Sequence, residues 1–198
     1  MKEELSILIQ AQYPLIYLVT SEEERAEQAI YSIAQSSKPQ RRLYVWTVTH
    51  GIVEYGQGRS VTQHNTVSPE AAIEWIIRQK EPGIFVLKDL HPFIDAPATT
   101  RSLRDAIASF KDTQKNIVLM SPVQQVPIEL EKEVVVLDFP LPNMSDLNKV
   151  LDGHIGQQNA RRLTTEAREK LLRAALGLTR DEAQKVYRKA KVTKKQLT

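Results

Sequence analysis

Ile84-Phe85-Val86-Leu87 runs apolar without alternation, and the stretch then turns polar through Lys88, Asp89, Leu90 and His91. A strand buried on both faces reads this way and belongs in the middle of a parallel sheet. An acid at the carboxyl edge of such a strand stands where open α/β folds do their chemistry. In folds that transfer phosphoryl groups, that acid helps to hold magnesium. Asp89 is therefore the candidate metal-holding residue. The chemistry would need further parts: a phosphate cradle, a neutralising lysine, a second acid and an arginine from a neighbour.

The cradle Gly-x-x-x-x-Gly-Lys-[Ser/Thr] works because glycines let the backbone wrap the phosphates while the lysine offsets their charge. It belongs between the first strand and its helix. After the apolar run Leu15–Val19 this chain has Thr20-Ser21-Glu22-Glu23-Glu24-Arg25, with neither glycine nor lysine. A helix N-terminus ordinarily attracts phosphate, yet here glutamates occupy that turn and satisfy the helix dipole themselves. Like charges about 5 Å apart repel by on the order of 3 kcal/mol at an effective dielectric near 20. The glycine cluster Gly51…Gly56-Gln57-Gly58 lacks the lysine and reads as ordinary turns.

The position after Asp89, where a catalytic glutamate would stand, is Leu90. His91 is near enough to polarise a water but reads as a rim histidine without acid or metal partners. His50, His64, His91 and His154 are scattered, without the spacing of a metal site. No Gly-x-Ser-x-Gly elbow occurs, and no carboxylate pair sits in a sugar-cleaving context.

The elements that must position these residues follow from periodicity. Strand candidates are 15–19, 43–49, 84–89, 117–120 and 134–139, alternating with helical stretches. Ser21 with Glu24 reads as a capping box for the first of these helices, and Ser68-Pro69 opens the next. Thr99 or Thr100 reads as the cap of the helix after Asp89. Residues 50–67 fit a small hairpin or loop. Parallel α/β is the natural assembly. Past Pro142 the pattern is helix alone: Ser145, Thr164 or Thr165, and Thr179 with Glu182 open three short helices. The expected division is an α/β core over 1–142 and a small helical subdomain over 143–198.

With 198 residues, 41% hydrophobic and 26% charged, the composition is that of a soluble globular protein. The absence of cysteine excludes disulfides, thiolate metal sites and cysteine nucleophiles. No apolar run is long enough to span a bilayer, and the first residues lack a signal-peptide core, so a cytoplasmic protein is expected. The net charge of +3 is unevenly spread. Residues 161–198 hold twelve Lys and Arg against four Asp and Glu, the first 160 fifteen against twenty. Such a split marks a candidate surface for an acidic partner, including nucleic acid, although solvated helix faces account for it as well.

YPLIYLVTSEEERA, GIFVLKDLH, VVVLDFPLP and GLTRDEAQKVYRKA resemble the N-terminal region of an AAA-type ATPase family encoded as a conserved reading frame in cyanobacterial and plastid genomes. The resemblance covers essentially the whole chain. It implies a five-stranded parallel P-loop-NTPase-like sheet sandwiched by helices, followed by a helical lid. It further implies a complete AAA module downstream, where ATP and magnesium would bind, the present chain ending in the basic segment Lys189–Thr198. By that resemblance, Thr20, Ser21, Asp89, Ser121 and Arg180 occupy vestigial nucleotide-site positions. Asp89 matches the magnesium acid, Ser121 the polar sensor of the fourth core strand and Arg180 the lid's sensing arginine. Ser121 would serve equally to cap the turn before Pro122.

The segment Pro127–Glu133, where a neighbour-reaching arginine would lie, has none. The expectation is a degenerate module that catalyses nothing, binds no cofactor or metal, and serves protein–protein contact or regulation of the downstream ATPase. The family's association with photosynthesis and inorganic-carbon use makes the plastid stroma the alternative compartment. A nucleotide sensor that does not hydrolyse, and a nucleic-acid module using the basic lid helices, are the competing readings.

Overall fold

The computed structural model describes residues 2–56, 65–111, 113–160 and 164–194, without the side chains of 154–160 and 191–194. Gln57, Gly58, His64, Arg161, Arg162 and Lys195 therefore lie outside the described residues, as do the side chains of His154, Ile155, Lys191 and Lys194. The chain forms two compact units, Met1–Phe139 and Pro140–Thr198.

In the first unit the order is α1 (Lys2–Gln10), β1 (Leu15–Val19), α2 (Glu23–Ser36), β2 (Arg42–Thr47), β3 (Gly51–Glu54), α3 (Pro69–Arg78), β4 (Gly83–Lys88), α4 (Pro97–Ser109), β5 (Lys115–Ser121) and β6 (Val134–Asp138). The strands form one six-stranded sheet in the order β3-β2-β4-β5-β1-β6. Five strands run parallel, as the apolar runs predict, and β3 adds an antiparallel edge paired with β2. Its four residues are too short and mixed to stand out within the polar stretch 50–67. Gly51 starts β3 at φ +67, and a Cβ there would meet Thr66 Oγ1 at 2.6 Å, so the turn itself calls for glycine.

Alternation along the central strands sorts the core onto two faces. Ile16, Leu18, Ile84, Val86, Val118 and Met120 pack against Leu5 and Ile9 of α1 and Ala26, Ile30 and Ile33 of α2. Tyr17, Phe85, Leu87, Ile117 and Leu119 face Ala72, Ile73 and Ile76 of α3 and Leu103 and Ala106 of α4. Every residue of β5 is buried, as is β4 up to Lys88. These strands are thus clothed on both faces, and what protrudes at their carboxyl ends is fixed in place.

Two helix starts differ from the sequence expectation. The N-cap of α2 is Glu22, not Ser21, and its side chain makes no capping bond. α4 begins at Pro97 with Ala96 at the cap. Thr100 instead ties Oγ1 to the Ile94 carbonyl at 2.6 Å, and Thr99 donates to Glu70.

The second unit is helical: α5 (Met144–Ala160), α6 (Thr165–Ala174) and α7 (Arg180–Lys194). Leu147, Val150, Leu151, Leu172, Ala175, Ala183 and Tyr187 form its core. α5 is opened by Asn143 and Asp146 in reciprocal side-chain-to-backbone bonds rather than by Ser145. Thr164 caps α6, and Thr179 with Glu182 forms the expected capping box of α7 at 3.2 and 2.8 Å.

Candidate functional site

The carboxyl ends of β1, β4 and β5 form one rim. Backbone bonds continue one residue past the strands: Thr20 N–H donates to Ser121 O at 2.8 Å and Asp89 N–H to Met120 O at 2.9 Å. Phe139 N–H donates to Val19 O at 2.9 Å, bringing the end of β6 to the same edge. The fold therefore gathers Thr20, Ser21, Asp89 and Ser121 on one edge. Arg180 is the first residue of α7, in the second unit.

Only Thr20-Ser21-Glu22 separates β1 from α2. Thr20 is buried, and its Oγ1 accepts from Glu22 N–H at 2.9 Å. Ser21 points outward as an exposed residue. Glu22 is 5% exposed, with its carboxylate 3.3 Å from Arg25 Nε. The Arg25 guanidinium lies over the Phe139 ring, 4.7 Å from its centroid. Glu22 thus has a cationic partner of its own one turn along the helix.

The glutamates are more fully paired than the sequence alone indicates. Lys88 Nζ contacts Glu23 and lies 2.9 Å from Glu27 Oε1. Burial opposes the Lys88 charge, but hydrogen bonds and attraction from Glu23 and Glu27 outweigh it and hold the ammonium above the ordinary lysine pKa. Sequence reasoning passed over Lys88 because it precedes the more conspicuous acid. The available signal was Glu23 and Glu27, four apart and hence on one helix face.

Asp89 adopts φ +51, a left-handed conformation that aspartate tolerates better than most residues. Its side chain is 53% exposed, with Oδ1 3.9 Å from His91 Nδ1. Leu90 is buried in the core shared with α3 and α4, so its place is one of packing. His91 does have partners, contrary to the expectation: Nδ1 also lies 2.9 Å from Ser121 Oγ. Ser121 is 3% exposed; its Oγ accepts from Val123 N–H at 3.1 Å and sits 3.0 Å from Val123 O. It caps the turn at Pro122.

An acid, a histidine and a serine in one corner invite comparison with a hydrolytic triad, and the geometry refuses it. A triad base uses one ring nitrogen toward the acid and the other toward the nucleophile. Here Nδ1 faces both groups, and the hydroxyl is buried in a turn. Among the described residues no group of three His, Asp or Glu side chains is arranged to hold a metal ion. Among them, too, no helix is long and apolar enough to cross a membrane.

In the second unit four of the basic residues pair with acids. Arg168 pairs with Asp152, Lys170 with Glu166, Arg173 with Glu169 and Lys185 with Asp181. Three of these are i,i+4 pairs along a helix face, the pattern of a solvated surface.

Residues 1–139 match the profile described as SpoVK-like AAA ATPase, N-terminal domain, and residues 145–198 match the profile of the second domain of the same group. The AAA domain-containing protein ycf46 of Guillardia theta is 29% identical over 197 residues, covering 98% of this chain and 38% of the relative. Its counterpart in Gracilaria tenuistipitata var. liui is 33% identical over 150 residues, 74% of this chain and 30% of the relative. The chain therefore spans well under half the length of these relatives. Among solved structures, C. elegans PCH-2 superposes with a TM-score of 0.59 at 10% identity, covering 98% of this chain and 62% of that one. The replication initiator DnaA bound to AMPPCP and single-stranded DNA gives 0.57 at 14% identity, over 96% and 59%. At such identities the likeness is one of fold.

Proposed function

Because the chain belongs to the SpoVK-like AAA ATPase family, we propose that it is a non-hydrolysing AAA-type module that acts by protein–protein contact. It recruits a partner, or positions and regulates the ATPase module of the longer protein. The photosynthetic and inorganic-carbon context implied by the sequence resemblance belongs to that whole protein.

The observation that carries this reading is the start of α2. In a working phosphate site the first N–H groups of the helix and a lysine meet the phosphates. Here the turn is short, Glu22 is buried at the cap with Arg25 beside it, and the nearby lysine, Lys88, is engaged by Glu23 and Glu27. The chain's own carboxylates take the place of a ligand anion. These residues do not fit a magnesium–triphosphate: Asp89 offers one exposed carboxylate, the next residue is core leucine, and glutamates line the approach.

The rim is instead suited to stiffness. Salt bridges tie α2 to β4, and hydrogen bonds tie β4 and β1 to β5. A rigid α/β body with a basic helical unit attached in sequence serves as a docking module. The nucleic-acid reading is weakened by the i,i+4 ion pairs on exposed side chains, the pattern of a solvated helix face rather than of a phosphate-tracking stripe.

Activity assays with ATP and magnesium test the proposal. No turnover is expected from the wild-type chain, and none from Asp89→Asn. Magnesium-dependent turnover that disappears in Asp89→Asn would overturn it.

A further inference from the structure

At the opposite, amino edge of the sheet lies a second constellation, independent of the rim. The last turns of α2, the approach to β2 and the end of β3 line an open cavity of about 500 Å³. Its wall includes Arg41, Arg42, Gln40, Gln35, Tyr31 and Tyr55. Small-molecule sites fall in the range of roughly 300–1,000 Å³, and a bare inorganic anion would leave much of this space empty.

Arg41 is the residue that needs explaining. It is 5% exposed, and among the described residues no carboxylate lies within ion-pair reach of it. Its Nη1 donates to Asn116 Oδ1 at 2.6 Å and to Ile9 O at 3.3 Å, which uses both hydrogens of that nitrogen. Nε is buried with no acceptor. Nε and Nη2 together form the side-on edge of a guanidinium, the edge that grips a carboxylate or phosphate through two parallel hydrogen bonds. That edge has no protein partner among the described residues. Burial alone pulls the Arg41 pKa down, so the charge is held at a cost. The Ile9 carbonyl in the last turn of α1 offsets part of it.

The remaining wall is chemically apt. Of the charged residues lining the cavity, Glu54 offsets one of Arg41 and Arg42, which leaves one positive charge in excess. Gln40 donates its amide to Gln35, which leaves further amide donors at the mouth. Tyr31 and Tyr55 stand with ring centroids 5.1 Å apart and planes inclined at 46°, an aromatic corner of the wall.

We propose that this cavity binds a small organic oxyanion, a shift of the buried Arg41 side chain bringing its Nε–Nη2 edge to the phosphate or carboxylate, with the body of the ligand beside Tyr31 and Tyr55. Calorimetric titration of the chain at constant ionic strength tests this, with inorganic phosphate and phenyl phosphate as probes. Saturable binding of phenyl phosphate in the range of ~0.01–1 mM, at least about tenfold tighter than inorganic phosphate, is expected. Gln40→Glu, an exposed change that puts a carboxylate at the mouth, should weaken it about tenfold or more. Arg41→Lys, which keeps the charge but loses the two-pronged edge, should do the same. Lys170→Ala in the second unit should leave it unchanged. Absence of saturable binding up to ~10 mM, or binding that is indifferent to Gln40→Glu, would overturn the proposal, and because Gln40 is exposed that result does not depend on whether Arg41→Lys folds.

Discussion

At the scale of single residues, Asp89 marks the difference between what a position suggests and what its surroundings allow. Its φ of +51 and its bond to Met120 O set the exit from β4, and the carboxylate itself is exposed. Asn shares the tolerance of Asp for this conformation, so Asp89→Asn should leave folding stability within about 0.5 kcal/mol of wild type. Asp89→Val should cost about 1–3 kcal/mol, because a β-branched residue is strained there. Urea denaturation of both variants reads the difference. Tyr187 offers the opposite case: its hydroxyl is buried in the second unit and has no hydrogen-bond partner among the described residues. Removing that group while keeping the ring should help, so Tyr187→Phe is expected to raise stability by about 1 kcal/mol, seen as a higher melting temperature. Ser121 was open to two readings from sequence, and its bonds to Val123 and His91 assign it to the turn.

At the scale of elements, the clamp between α2 and β4 is the feature that most alters the reading of the rim. Replacing Lys88 with Met leaves Glu27, itself largely buried, without its cation, and should cost about 1–3 kcal/mol. A double-mutant cycle with Glu27→Gln should return a coupling of about 0.5–3 kcal/mol. The pH dependence has a definite sign. Lys88 has a folded pKa above the ordinary 10.5, so its contribution is fully present below 10.5 and is lost as pH rises through the higher folded value. Lys115 is the reverse. Its ammonium, buried against the Ile76 and Ile77 carbonyls, titrates below 10.5 because of desolvation, so that stability rises between its lowered pKa and 10.5. Lys88→Met should flatten the fall above that pH and Lys115→Met the rise below it, as measured by denaturant melts from pH 8 to 11.

The elements themselves were well marked in the sequence. Apolar runs at 15–19, 84–87 and 117–120 mark β1, β4 and β5 because strands buried on both faces leave no room for alternation, while 134–137 marks the half-buried edge strand β6. The edge strand β3 escaped notice because four residues carry too short a pattern. The cap of α2 was misplaced by one residue because Ser21, a good capping residue in isolation, lost to the Thr20–Glu22 turn that the rim imposes. Arg41 is hidden for a different reason: it reaches Asn116 across 75 positions, which no local pattern encodes, whereas Lys88, reaching Glu27 across 61, is hinted at by the spacing of Glu23 and Glu27.

At the scale of the whole molecule, the excess of basic residues after residue 160 is less available than its count indicates, because several are engaged by neighbouring acids. The chain should therefore show no tight, steeply salt-dependent binding to duplex DNA or to RNA in gel-shift titrations at low salt.

The central claim is that the rim at β1, β4 and α2 no longer accepts a nucleotide. Calorimetric titration of the chain with ATP and magnesium tests it most directly. The account predicts that any saturable binding tighter than about 1 mM is weakened by Gln40→Glu and is indifferent both to Asp89→Asn and to magnesium, as binding at the Arg41 cavity is. A dissociation constant in the micromolar range, dependent on magnesium and weakened by Asp89→Asn, would contradict it.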